Sequence, residues 1–134
     1  MSISGLNHFT IRCKPDDLAM LVGFYGTVLD LQAGDRPMMP RPGFWLYNQG
    51  RPIVHLYASI DERESGPTGA LDHISFSASG LEATRARLRE AGMPFDEFPL
   101  PGTTIHQIFL RDPLGLKIEL TFDLNDKGVE EHAA

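Results

Sequence analysis

Leu6-Asn7-His8-Phe9-Thr10-Ile11 recurs 65 residues on as Leu71-Asp72-His73-Ile74-Ser75-Phe76. Later in each copy, Ile53-Val54-His55-Leu56-Tyr57-Ala58 is answered 64 residues on by Lys117-Ile118-Glu119-Leu120-Thr121-Phe122. Two offsets that agree within one residue mark a duplicated module. The duplication puts four ligand-type side chains, His8, His55, His73 and Glu119, at equivalent places in two halves. A pseudo-two-fold between the halves would bring them to one point.

Each half reads as a strand, a helix and three further strands. Alternation along Leu6 to Cys13 turns His8, Thr10 and Arg12 one way and Phe9, Ile11 and Cys13 the other. Pro15 suits the first turn of a helix, with Asp16 and Asp17 near the positive end of its dipole. Leu18, Leu21, Val22, Tyr25, Val28 and Leu29 then form an apolar stripe, and Gly34 falls in the exit loop. Strands are expected from Phe44 to Tyr47 and from Pro52 to Ala58, around an Asn48-Gln49-Gly50 turn. In the second half, Ser79 three residues before Glu82 has the pattern of a capping box, and Gly92 fits the left-handed residue after a helix. Leu81, Thr84 and Leu88 face inward on that helix, and Arg85, Arg87 and Arg89 form a solvated face. Thr103 to Arg111 and Leu116 to Phe122 complete the strands, with the turn Asp112-Pro113-Leu114-Gly115 between them. The first module spans about residues 5–60 and the second about 70–122. Glu64 to Gly69 forms the linker, and a polar tail covers 123–134.

At 134 residues, 42% hydrophobic and 22% charged, the chain has the make-up of one ordinary globular domain. A net charge of −6 argues against nucleic acid or an anionic membrane as partner. Met1 to Gly5 lacks the basic and apolar regions of a secretory signal, and no apolar run approaches the ~20 residues of a membrane span. A cytoplasmic location is expected. The lone Cys13 excludes an internal disulfide and should pack as a small hydrophobe.

Alternation gives the ligand idea an independent test. His8 shares a face with Thr10, His73 with Ser75 and Ser77, His55 with Tyr57, and Glu119 with Thr121. The opposite faces carry Phe9 and Ile11, Ile74 and Phe76, Val54 and Leu56, and Ile118, Leu120 and Phe122. The first set suits a wet, concave surface and the second a face packed on a helix. A lone histidine on a half-buried strand is more often structural than a ligand; the symmetric placement of three histidines and a glutamate raises His8, His73 and Glu119 above that. His8, His73 and Glu119 make two imidazoles and a carboxylate, a set suited to a divalent transition metal with open positions. His55 is either a fourth ligand or an acid-base group beside the metal. His106 has no aligned counterpart, and His132 lies in the tail.

At these residues the chain resembles the vicinal oxygen chelate superfamily, which includes glyoxalase I, methylmalonyl-CoA epimerase, extradiol dioxygenases, and fosfomycin and bleomycin resistance proteins. The resemblance covers residues 5 to 122. It is most specific at Leu71 to Phe76, at Phe24-Tyr25 with Val28 to Leu31, and from Phe109 to Leu120, where Asp112-Pro113-Leu114-Gly115 leads into the strand with Glu119. It implies an α+β fold of two tandem βαβββ modules, their eight strands forming a partly open, barrel-like sheet around a metal. It also implies metal ligands at His8, His73, Glu119 and, in some members, His55. Glyoxalase I and the epimerase typically carry Glu or Gln at that last place, so a histidine departs from their pattern. The implied cofactor is a divalent ion, Fe2+ first, with Mn2+, Ni2+, Co2+ and Zn2+ also suited.

The common act of the family is chelation of a substrate through two adjacent oxygens, with the metal stabilising developing negative charge. His55 could serve as acid or base and Tyr57 could hydrogen-bond a chelated oxygen. The bulky strand Phe44-Trp45-Leu46-Tyr47, with Met38, Met39, Pro40 and Pro42 before it, suits an aromatic small molecule. Beyond Arg12 no basic cluster is apparent on the site faces, which counts against phosphonate, thiol-conjugate and acyl-CoA substrates. The expected activity is therefore that of an extradiol-type dioxygenase. A proton-transfer lyase or isomerase comes next, and a drug- or metabolite-sequestering binding protein after it. The resemblance further implies a homodimer, with modules paired within a chain or exchanged between two.

Overall fold

The computed structural model describes residues 1–2, 5–60, 68–69 and 71–125. The expected linker and tail lie largely outside the described residues. The chain divides into two compact units, Met1–Ser65 and Gly66–Ala134.

The first unit holds β1 (Phe9–Arg12), a 3-10 turn (Pro15–Asp17), α1 (Leu18–Thr27), β2 (Gln32–Gly34), β3 (Gly43–Asn48) and β4 (Arg51–Tyr57). The second holds β5 (Ile74–Ala78), α2 (Leu81–Glu90), β6 (Asp96–Pro99), β7 (Ile105–Arg111) and β8 (Lys117–Asp123). Sheet order is β1-β4-β3-β2 in the first and β5-β8-β7-β6 in the second. In each, the first strand runs parallel to the last and the other pairings are antiparallel. The α+β fold and the repeated βαβββ topology are thus present. Among the described residues, eight strands form two four-stranded sheets, one in each unit and each with two edges.

Registers carry the duplication to the residue level. Thr10 pairs with His55 in the first sheet and Ser75 with Glu119 in the second. His8 and His73 each stand one residue ahead of their strand, so the first strand expected from Leu6 to Cys13 begins only at Phe9.

The apolar faces pack as alternation requires. Ile11, Cys13, Val54, Leu56 and Leu46 are buried in the first unit with Leu18, Leu21, Phe24, Tyr25 and Val28 of its helix. Leu88 of α2 is buried in the second with Ile108, Leu110, Ile118, Leu120 and Phe122. Phe24 joins this core where Leu29 was expected, and Leu29 and Val22 are only half-buried. Burial pushes the Cys13 thiol pKa up, with the nearby Asp17 carboxylate adding to it.

The helix ends depart from expectation in one place. Gly92 is left-handed at φ 68°, and Met93 N–H reaches back to the Leu88 carbonyl at 2.9 Å. The capping box is not formed. The residue before α2 is Gly80, at φ 76°, with no side-chain cap, and Glu82 pairs with Arg85 instead of turning back. Arg85 is therefore no solvated arginine: it is held between Glu82 and Glu97. Gly34, expected in a loop, belongs to edge strand β2, and β6 is the matching edge of the second sheet. Both are too short for a legible alternation.

The Asp112 turn is built as its sequence suggests. Its side-chain oxygen accepts from the N–H groups of Leu114 and Leu116 at 2.9 and 2.8 Å, and Gly115 adopts φ 89°. That turn fixes the entry of β8 and so the register of Glu119.

Candidate metal-binding faces of the two units

In the second unit, Nε2 of His73 lies 3.0 Å from Oε1 of Glu119. Asp72 fixes the other side of the ring, its Oδ2 2.7 Å from Nδ1. A carboxylate only accepts, so Nδ1 donates its proton to Asp72, and the contact of Nε2 with Glu119 requires a proton between them as well. The second oxygen of Glu119 accepts from Gln107 Nε2 at 3.1 Å and from Thr121 Oγ1 at 2.8 Å, and Ser75 hydrogen-bonds Thr121 at 2.7 Å. Glu119 is buried, 7% exposed, and every polar neighbour turns Oε1 toward the imidazole.

In the first unit, His8 and His55 stand in the equivalent relation, with a ring stack in place of an ion pair. Their centroids are 3.8 Å apart at 12°. Trp45 stacks on the other side of His55, at 4.1 Å and 11°. Asn7 Oδ1 lies 2.8 Å from His8 Nδ1, the counterpart of Asp72 on His73. His55 is engaged differently: its Nε2 lies 3.1 Å from the Pro52 carbonyl. A carbonyl accepts only, so Nε2 is the protonated nitrogen and the lone pair of neutral His55 sits on Nδ1. Its pKa is lowered, chiefly by burial and then by His8, with Arg36 adding to this and the Pro52 bond opposing it. Tyr57 lies two residues on along β4, half-buried.

His73, Glu119 and His8 are suited to hold a divalent cation by the chemistry of their donors. His73 and Glu119 are an imidazole and a carboxylate held by flanking groups, with their facing atoms in contact. His8 presents the same Asx-supported imidazole. Among the described residues, no three His, Cys, Asp or Glu side chains form a group that could hold a metal ion by itself.

Three other residues are placed by the fold. His106 lies on the helix side of the second sheet, 2.8 Å from Glu97 Oε1, and is remote from Glu119 by strand alternation. In β3, Trp45 shares the His55 face, and Leu46 is buried on the other. Lys117 was overlooked as a site-face cation. It precedes Glu119 by two residues on β8, pairs across the ladder with Arg111, and puts Nζ 3.3 Å from Asp72. The same period-two rule that grouped Glu119 with Thr121 would have found it.

No described helix is long and apolar enough to cross a membrane. A family model described as the Glyoxalase/Bleomycin resistance protein/Dioxygenase superfamily matches residues 5–120. No curated protein matches the chain. Among solved structures, the chain is similar to a Bacillus anthracis protein assigned to the glyoxalase family. Identity is 18% and TM-score 0.76, over 92% of this chain and 98% of that one. It is also similar to a mutant of the fosfomycin resistance protein FosX from Listeria monocytogenes, complexed with Mn(II) and 1S,2S-dihydroxypropylphosphonic acid. There the identity is 17% and the TM-score 0.69, over 96% and 99% of the chains. Lactoylglutathione lyase from Agrobacterium tumefaciens matches at 17% identity and TM-score 0.63, over 91% and 96%. At these identities the likeness is one of fold.

Proposed function

The chain belongs to the Glyoxalase/Bleomycin resistance protein/Dioxygenase superfamily, and on that premise we propose that it is a metal-dependent enzyme acting on a small molecule with two adjacent oxygens. His8, His73 and Glu119 are the proposed protein ligands. The observation that carries this reading is the Asp72–His73–Glu119 chain, in which 2.7 and 3.0 Å contacts align an imidazole on a buried carboxylate.

A divalent ion bound by these groups would supply Lewis-acid stabilisation of a chelated oxyanion. The protein's own part is orientation and proton handling. Asp72 and Asn7 set the tautomers of His73 and His8. His55, proposed as the acid-base residue and not a ligand, offers Nδ1 while its proton stays on Nε2 against Pro52. Its lowered pKa keeps it a neutral base near pH 7. Tyr57, proposed as a hydrogen-bond donor to substrate, is two residues away on the same strand face.

The finer reading is oxygen-dependent ring cleavage of an aromatic diol with ferrous iron, supported by the departure at His55 from the Glu or Gln of glyoxalase-type members and by Trp45 stacked on it. Anaerobic loading with Fe2+, then a panel of catechols under oxygen, tests it. Yellow ring-opened product and matched oxygen uptake are expected, and no product from any diol would overturn it. Solvent deuterium entering a substrate without oxygen uptake would instead establish proton transfer, which the neutral His55 base would serve. Full ligand affinity in metal-free His73→Ala protein would turn the reading to a sequestering protein.

A further inference from the structure

Next to the His73–Glu119 pair, the second unit has a cavity of about 550 Å³ lined in part by Met93, Asp96, Phe98, Phe109, Arg111 and Lys117. Phe109 is shared between the two places: its ring stands edge-on to His73, centroids 6.0 Å apart, and 6.2 Å from Phe98. Lys117 Nζ lies 5.1 Å over the same ring. Its contact with Asp72 ties the cavity to the carboxylate that holds His73.

We infer that this cavity is a substrate subsite for a small aromatic monocarboxylate, with the ring on Phe98 and Phe109 and the carboxylate on Lys117 and Arg111. The inference rests on the metal reading above only for where the far end of such a ligand would go. Four observations carry it. Lys117 and Arg111 are direct partners across the β7–β8 ladder; like charges so placed cost energy, which Asp72 at 3.3 Å offsets at Lys117 and an anion between the two would offset further. They do so in a chain of net charge −6. Lys117 has three N–H donors and Asp72 takes one; Arg111 has five and the Gly115 carbonyl takes one at 3.0 Å. Phe98 and Phe109 in the lining offer ring faces on which an aromatic ligand can stack.

The remaining charge limits the ligand. Asp96 in the lining disfavours a second negative group, so a phosphonate or a nucleotide-bearing thioester fits less well than a single carboxylate. Spacing sets its length. Lys117 and Glu119 are two residues apart on one strand face, roughly 7 Å. That is about the span of one six-membered ring with a carboxylate at one end and oxygen substituents at the other.

The test is an NMR titration of the full-length, metal-free protein with benzoate and, separately, with neutral benzamide. Benzoate should bind saturably and perturb Phe98 and Phe109, with benzamide about tenfold weaker. Arg111→Gln and Lys117→Met, each checked for an unchanged melting transition, should weaken benzoate about tenfold and leave benzamide as it was. Arg111 is exposed, so its variant keeps the test open if Lys117→Met fails to fold. Equal affinity for the two probes, indifference of benzoate to both substitutions, or no benzoate binding would overturn the inference. Metal uptake is measured on the same samples. Uptake without benzoate binding sinks the subsite and spares the metal reading, while benzoate binding without uptake supports the subsite and sinks the metal reading.

Discussion

Nε2 of His73 lies 3.0 Å from Oε1 of Glu119, whose strand is entered through the turn that Asp112 holds. In metal-free protein a proton closes that contact, and a divalent ion taking its place would release it. Three donors and acceptors around the pair hold its geometry.

Metal binding should follow these contacts. Freshly purified protein is expected to hold about one divalent ion per chain, lost in His8→Ala and in Glu119→Ala. Asp72→Asn should keep the ion but bind it roughly 10- to 100-fold more weakly, because Asn cannot fix the imidazole as a carboxylate does. Elemental analysis with a competing chelator reads both effects. Undiminished metal in Glu119→Ala would show that the ion sits elsewhere.

Trp45 is the sole tryptophan and stacks on His55, which stacks on His8. Its emission should therefore brighten in His55→Ala, since the imidazole in van der Waals contact is gone. Metal content should be unchanged in the same variant, since His55 is proposed as the acid-base residue and not as a ligand. Loss of the ion from His55→Ala would make it a ligand after all.

Arg85 and His106 pull the Glu97 carboxyl down to about 2 from its ordinary 4.5. A depressed carboxyl contributes stability that is complete above the unfolded pKa and is lost as pH falls through the folded one. Acid titration of wild type should thus show stability declining between about pH 4.5 and 2 beyond that of Glu97→Gln. At pH 7 the substitution should cost about 1 kcal/mol, since a half-exposed pair is partly screened. Equal acid sensitivity of the two proteins would contradict this.

Backbone geometry gives two opposite predictions. A Cβ at Gly43 would meet the Leu56 carbonyl oxygen at 2.1 Å, so Gly43→Ala must push β3 and β4 apart, at a cost of about 1–3 kcal/mol. Asp30 holds φ 59° at the end of α1, where Leu31 N–H reaches the Tyr25 carbonyl. Asp30→Gly should relieve that strain and stabilise by about 0.5–1 kcal/mol. Thermal or urea unfolding reads both, and a sign reversal at either position would refute its geometric account.

By itself the sequence determined what period and spacing can encode. The two copies, the faces of the strands bearing His8, His55, His73 and Glu119, the buried Cys13 and the Asp112 turn follow from alternation and local turn chemistry. These depend on neighbours within a few residues. The short edges β2 and β6 were not legible, because three or four residues carry too little pattern and their pairing comes from the adjacent strand. The capping box failed because Glu82 found Arg85, and Arg85 found Glu97 across 12 residues. Tertiary structure alone decided that His55 lies between two rings, that His106 belongs to Glu97, and that Lys117 links a cavity to Asp72. A side chain's face is set by its own strand, but which nitrogen it offers is set by whichever donor or acceptor the packed chain brings within 3 Å.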